Sequence, residues 1–263
     1  MSLGDQVAAN LPLLRRYARA LTGAQTTGDA FVRQTLEAAL ADPALKASLA
    51  DGRVALYRAF NKVWSGTQLE AVGSDRAADG HEVAAQDRLR AVTPVARQAL
   101  LLTTLEGFSA AEAADVLDCS EGEVAELVRE AIAEIDRESA TSVLIIEDEP
   151  LIAMQLEDLV TALGHEVCGT AATRTQAQDV FARTTPGLVL ADIQLADGSS
   201  GLDAVDDILA VSSVPVIFIT AYPERLLTGD RPEPTYLVTK PFRETTVRAA
   251  ISQALFFNST RPI

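Results

Sequence analysis

Cysteine is nearly missing from this chain of 263 residues, which holds only Cys119 and Cys168, far apart in sequence. Two isolated thiols build no disulfide framework and offer no metal-ligand spacing. Histidine is as scarce, and His81 and His165 are not spaced to complete a zinc site with those cysteines. Aromatic residues make up 5%, so the cores rest mainly on Leu, Val, Ile and Ala. No run of roughly 18 apolar residues occurs, which excludes a hydropathy-type membrane helix, and the opening residues lack the pattern of a secretory signal. A reduced, cytoplasmic setting without a membrane partner is expected. Basic side chains are also short: 22 Lys and Arg stand against 37 Asp and Glu, a formal net charge of -15. Such a surface is a poor general partner for nucleic acid or anionic lipid.

The shortage of base is uneven. Residues 1–60 carry seven basic and five acidic side chains, residues 93–137 three and ten, and residues 143–263 eight and sixteen. Periodicity changes near residue 142. Before it, apolar residues recur at helical spacing; after it, short apolar runs alternate with helical stretches. The polar stretch Gly73 to Asp87 predicts a loop between two helical blocks. Three blocks follow: 1–72 and 85–137, both helical, and an α/β block over 143–263. Glu138 to Ser142 alone joins the last two, a joint short enough to predict contact between them.

In the α/β block the runs Val143–Ile146, Glu166–Thr170, Leu188–Ala191, Pro215–Ile219 and Tyr236–Thr239 read as five strands. Alternation with helices predicts a parallel sheet covered on both faces, with its ligand site outside the carboxyl ends of the strands. Glu147 and Asp148 follow the first of these strands, Asp192 the third, Thr220 the fourth and Lys240 the fifth. Taken singly, each is an ordinary cap or turn residue. Together, and in this order, they describe a chemistry. Clustered carboxylates stay ionised most easily around a hard divalent cation such as Mg²⁺. An Asp carboxylate beside such an ion can attack a phosphoryl group, with Lys240 as a point charge for its oxygens and Thr220 as a hydroxyl donor.

Residues 93–137 read as a helix-turn-helix. Thr93-Pro94 predicts a helix start with proline at the first position, and Gly107-Phe108 a break. Ser109 with Glu112, and Ser120 with Glu123, predict two capping boxes around a turn at Leu117-Asp118-Cys119. The last helix is expected to bury Val124, Leu127, Val128, Ala131 and Ile135. A helix that enters the major groove needs Lys or Arg for phosphates and base edges. This one carries Glu121, Glu123, Glu126, Glu130, Glu134 and Asp136 against Arg129 and Arg137, so direct DNA binding is not expected.

These residues carry family resemblances. Val143-Leu-Ile-Ile-Glu-Asp-Glu-Pro150, Asp192-Ile-Gln-Leu-Ala-Asp-Gly198, Ile219-Thr-Ala221 and Lys240-Pro-Phe242 resemble the flavodoxin-like receiver domains of bacterial response regulators. The resemblance implies Asp192 as phosphoacceptor for a sensor histidine kinase and Thr220 with Lys240 as the switch pair. It implies Mg²⁺ held by Asp148, Asp192 and the backbone carbonyl of Gln194, with Glu147 acting mainly through water. Leu237 stands three residues before Lys240, where many receivers have an aromatic, and Tyr236 is one earlier. The stretch from Thr93 to Val124 resembles the region 4 helix-turn-helix of extracytoplasmic-function sigma factors. Leu11 to Gly23, with Ala30 to Leu40, is similar to their region 2.

A sigma-like block before a receiver resembles the PhyR family of anti-anti-sigma response regulators. That resemblance implies a phosphorylation-activated regulator of the general stress response, not an enzyme. Its sigma-like part would sequester a NepR-like anti-sigma factor and so free the true sigma factor. The alternative on residues alone is a phosphorylation-controlled regulator that binds promoters through 93–137.

Overall fold

The computed structural model describes residues 3–74, 94–135, 140–195, 198, 200–223, 226 and 234–259. The chain divides into two units, Met1–Ala133 and Glu134–Ser259, and each is built as its sequence pattern predicts: helices first, a parallel sheet second.

In the first unit α1 spans Leu3–Thr22 and α2 Gln25–Ala41. Helix α3, Pro43–Ser48, starts with Pro43 at its first position, and the Asp42 carboxylate accepts from the Ala44 amide at 2.8 Å. After a 3₁₀ turn at Leu49–Asp51, α4 runs over Arg53–Ser74. Gly73 and Ser74 therefore belong to a helix and not to the expected loop, whose remainder to Asp87 lies outside the described residues.

Helix α5 is Val95–Thr104, with Pro94 extended in the N-cap position, one place before the first helical residue; Thr93 lies outside the described residues. Both predicted capping boxes form around α6 (Ala110–Leu117) and α7 (Glu121–Ile135). Ser109 and Ser120 each donate from N–H and hydroxyl to the carboxylates of Glu112 and Glu123. Asp118 makes the turn between them in the left-handed region, at φ 56°. On α7, Val124, Ala131 and Ile135 are buried, but Leu127 and Val128 are only half-buried, so the apolar stripe is narrower than its spacing predicts.

The few aromatics of this unit meet at its centre. Tyr57 packs on Phe108 with ring centroids 4.9 Å apart, and Phe31 on Trp64 at 4.8 Å. Helices α1 and α2 approach so closely at Gly28 that a Cβ there would lie 2.7 Å from the backbone nitrogen of Arg19. The close approach is pinned by Asp29, whose carboxylate accepts two bonds from Arg15 (3.2 and 2.9 Å) and two from Arg19 (3.0 and 2.9 Å). Burial raises the Asp29 pKa, but the two guanidinium groups outweigh it and hold the carboxyl below its ordinary value. A depressed carboxyl pKa stabilises the fold above the unfolded value, about 3.9, and that stability is lost as pH falls through the folded value. Urea unfolding of the helical unit between about pH 3 and 6 is expected to show this loss below about pH 4. Asp29→Asn should flatten it while lowering stability near neutrality.

In the second unit β1 (Ser142–Ile146), β2 (Glu166–Ala171), β3 (Leu188–Ala191), β4 (Val216–Thr220) and β5 (Tyr236–Thr239) form one parallel sheet. Its order is β2-β1-β3-β4-β5, that of flavodoxin-like folds. Helices α8 (Pro150–Ala162), α9 (Arg174–Arg183), α10 (Gly201–Leu209) and α11 (Glu244–Ser259) connect and flank it. Val143 to Ile146 and Leu188 to Ala191 are all buried, as strands covered on both faces must be. The chain leaves β1 toward β2 and returns to the other side for β3, so the order reverses between β1 and β3. A cleft opens there at the carboxyl ends of the strands.

Candidate functional site

Glu147 and Asp192 stand at that cleft because each is the first residue after a central strand. The Glu147 amide donates to Ala171 of β2 at 2.9 Å and the Asp192 amide to Ile146 of β1 at 2.8 Å. Lys240 follows the outer strand β5; its amide donates to the Thr220 carbonyl at 2.8 Å, and its peptide bond to Pro241 is cis. From there its side chain reaches back across the strand ends. Its ammonium lies 2.7 Å from Asp192 Oδ2, 2.8 Å from Glu147 Oε2 and 3.7 Å from Glu149 Oε1. Asp192 Oδ1 accepts from the amides of Ile193 (2.6 Å) and Gln194 (3.3 Å), which leaves Oδ2 facing the lysine. Thr220 is fully buried at the end of β4, and its hydroxyl oxygen accepts from the Tyr222 amide at 3.2 Å. Gln194 is exposed and bridges to Ser200.

Glu147, Asp148 and Asp192 each offer a carboxylate oxygen within 4.8 Å of one another. Glu147 Oε2 is buried without a well-aligned hydrogen bond and meets the Lys240 ammonium instead. An all-oxygen donor set of clustered carboxylates suits a hard divalent cation. Burial pushes the Glu147 carboxyl up, and the Lys240 contact offsets this only in part. Burial works against the charge on Lys240 too, but the bonds it donates to Asp192 and Glu147 win and hold its ammonium above the ordinary lysine value.

The structure thus brings Glu147, Asp148, Asp192 and Lys240 together and places Thr220 on the adjoining strand end. Two contributors have no local signal in the sequence. Glu149 adds a third, exposed carboxylate near Lys240. Gly201, the first residue of α10, lies so close beneath Asp192 that a Cβ there would overlap the Asp192 carbonyl oxygen. Leu237 is buried, and so is Tyr236, whose hydroxyl donates to the Gln253 carbonyl at 3.4 Å.

On the helical unit, the exposed face of α7 carries Glu121, Glu123, Glu126 and Glu130. Arg129, on the same helix, is 3.8 Å from Glu126, and its Nε donates to the Ala125 carbonyl at 3.3 Å. Glu134 is half-buried, and Asp136 and Arg137 lie outside the described residues. No described helix is long and apolar enough to cross a membrane.

A five-stranded parallel sheet with a lysine bridging carboxylates at its carboxyl edge defines the class, a response-regulator receiver. The family model for the response regulator receiver domain matches residues 143–252. Two further models match the helical unit: the sigma2 domain of PhyR over 7–61, and the sigma-like domain of response regulator PhyR over 89–138. The phyllosphere-induced regulator PhyR of Methylorubrum extorquens is 52% identical over 261 residues, covering 99% of this chain and 97% of the relative. The crystal structure of PhyR from Brucella abortus superposes with a TM-score of 0.84 at 47% identity, covering 98% of this chain and 96% of the other. That of the anti-anti-sigma factor PhyR from Bartonella quintana gives 0.83 at 47%, covering 98% and 97%. The chain belongs to the PhyR family of response regulators.

Proposed function

We propose that this chain is a cytoplasmic, phosphorylation-gated anti-anti-sigma factor that frees an extracytoplasmic-function sigma factor in the general stress response. The observation that carries this is the pairing of two features in one chain. One is an acceptor carboxylate bridged to a lysine at 2.7 Å. The other is a sigma-like helical unit whose recognition-type helix is acidic on its open face. The parts divide as a region 2-like block over 1–72, a region 4-like block over 85–137 and a receiver over 143–263.

In the proposed chemistry the Asp192 carboxylate attacks the phosphorus of a phosphohistidine on a sensor histidine kinase. The new bond is an acyl phosphate, and the imidazole leaves with the electron pair of the broken P–N bond. Asp148, Asp192 and the Gln194 carbonyl would hold Mg²⁺, with Glu147 acting through water, and the ion would supply charge neutralisation. Lys240 is already beside Asp192 and turns from carboxylate to phosphoryl oxygen. The buried Thr220 hydroxyl oxygen accepts from the Tyr222 amide, and among the described residues its proton has no acceptor, so it is free to donate. This is stoichiometric modification of the chain, not turnover of a substrate. The phosphoryl group then biases the sigma-like unit toward a form open to a NepR-like anti-sigma factor.

The helix-turn-helix shape favours a second reading, a DNA-binding regulator. The exposed acids of α7 oppose it, because each carboxylate facing a phosphate repels where a lysine would release counterions. Titration of labelled anti-sigma factor and of labelled promoter duplex separates the two. With Mg²⁺ and acetyl phosphate, anti-sigma binding should tighten roughly 5- to 150-fold, and DNA should stay unbound. Salt-sensitive DNA binding with no anti-sigma binding would sink the proposal.

A further inference from the structure

The helical unit buries a charge cluster that the acceptor chemistry does not use. The Glu106 side chain is fully buried in the turn that leaves α5. Its Oε1 accepts from Arg16 Nε at 3.1 Å and Arg16 Nη2 at 2.9 Å. Its Oε2 accepts from Arg53 Nη2 at 2.6 Å and from the Tyr57 hydroxyl at 2.7 Å. Arg16 also donates to the Leu105 carbonyl at 3.0 Å. The Arg53 guanidinium lies over the Phe108 ring, 4.3 Å from its centroid. Arg16 belongs to α1, and Arg53 and Tyr57 to α4, so two helices of the region 2-like block converge on one carboxylate of the region 4-like block.

Stability alone does not account for this arrangement. Apolar side chains of similar volume hold a helix junction at least as well as a buried ion pair, which is costly to desolvate. Here two guanidinium groups share one buried carboxylate, and only the exposed Glu112 carboxylate is also in the field of Arg53 among the described residues. What directed bonds add is register. Leu and Ala faces tolerate sliding, whereas four donors on two oxygens are satisfied together in one pose. The same core holds a built-in comparison. The Tyr17 hydroxyl, on a ring 5.4 Å from that of Tyr57, is buried with no hydrogen-bond partner among the described residues.

We infer that Glu106 is a positioning residue that fixes the pose of the α5–α7 helix-turn-helix against α1 and α4, and so the spacing of the two sigma-like surfaces. A mimic that offers both sigma-like blocks to one anti-sigma factor needs that spacing set before the partner arrives, because a loose pose would have to be ordered on binding. The consequence for the partner rests on the function proposed above; the consequence for the pose does not.

The test uses the full chain with Cys119→Ser and Cys168→Ser, spin-labelled through Leu40→Cys on α2 and Ala125→Cys on α7, both exposed positions. Electron–electron double resonance reads the distance distribution between α2 and α7. Glu106→Gln keeps shape and loses charge. Arg16→Met, Arg53→Met and Glu106→Met together remove the cluster without leaving a lone buried charge. Both variants are expected to keep their helical circular dichroism, to at least double the width of the distance distribution, and to weaken anti-sigma binding tenfold or more. Tyr17→Phe should change none of these. A single narrow distance retained in both variants would overturn the inference and leave the pose to apolar packing. Loss of folding in both would overturn it as well, by making the cluster a source of stability instead of register. If the parent chain binds no anti-sigma factor, the proposed function fails, and the distance measurement still decides the role of Glu106.

Discussion

Asp192→Ala is expected to abolish phosphoryl incorporation from a histidine kinase or from acetyl phosphate, and with it the whole phosphorylation-linked gain in anti-sigma binding, roughly 5- to 150-fold. The expectation follows from how Asp192 is held. One carboxylate oxygen is occupied by the Ile193 and Gln194 amides, and the other points at Lys240 Nζ, 2.7 Å away. Glu147 faces the same ammonium, but its carboxylate is buried more deeply, and that burial raises its pKa. The unphosphorylated protein should keep its fold and its basal binding, since Lys240 still has Glu147 and Glu149 within 4 Å. Lys240→Ala and Thr220→Ala should behave differently: reduced incorporation, and incorporation that no longer changes binding. Phosphate-affinity electrophoresis beside a binding isotherm reads both. Full incorporation in Asp192→Ala would move the acceptor to another carboxylate.

The second large effect comes from a residue with no polar atoms in its side chain. Gly201→Ala is expected to cost the receiver about 3 kcal/mol or more, and so to lower its thermal midpoint by roughly 10 °C. The added methyl would overlap the Asp192 carbonyl oxygen and stand 2.9 Å from the Asp192 carbonyl carbon and 3.4 Å from Ile193 Cα. All three are backbone atoms, so no side chain can rotate away. Either α10 withdraws or the acceptor loop shifts, and a shift moves Asp192 out of register with Lys240. Phosphoryl incorporation should therefore fall along with stability. Differential scanning calorimetry with and without Mg²⁺ checks the first part and phosphate-affinity electrophoresis the second. Wild-type stability and incorporation would mean that α10 yields freely at its first turn.

Much of this architecture is legible in the sequence, and for local reasons. The strands are short apolar runs because a sheet covered on both faces buries successive residues, as Val143 to Ile146 and Leu188 to Ala191 do. The capping boxes are legible because each closes over four residues. Lys240 and Asp192 are legible together only because parallel topology brings strand ends to one edge. What is hidden depends on distant partners. Glu106 looks like one more acid of an acidic block, and its partners Arg16 and Arg53 lie 90 and 53 residues away. Gly28 and Gly201 look like unremarkable helix glycines until another backbone is seen against them. Helix α4 continues through Gly73 and Ser74 despite their poor helix propensity, which shifts a boundary that turn-forming composition alone suggested. The half-burial of Leu127 and Val128 likewise reflects how much of α7 its neighbours cover, which periodicity does not encode.

Displacement is the most direct measurement. A complex of the extracytoplasmic-function sigma factor with its anti-sigma factor is mixed with this chain, with Mg²⁺ and acetyl phosphate present or omitted, and free sigma factor is followed by fluorescence anisotropy. Release that rises in step with the phosphorylated fraction, and that Asp192→Ala does not support, is the predicted result. Equal release from phosphorylated and unphosphorylated protein, or none from either, would contradict a phosphorylation-gated sigma mimic.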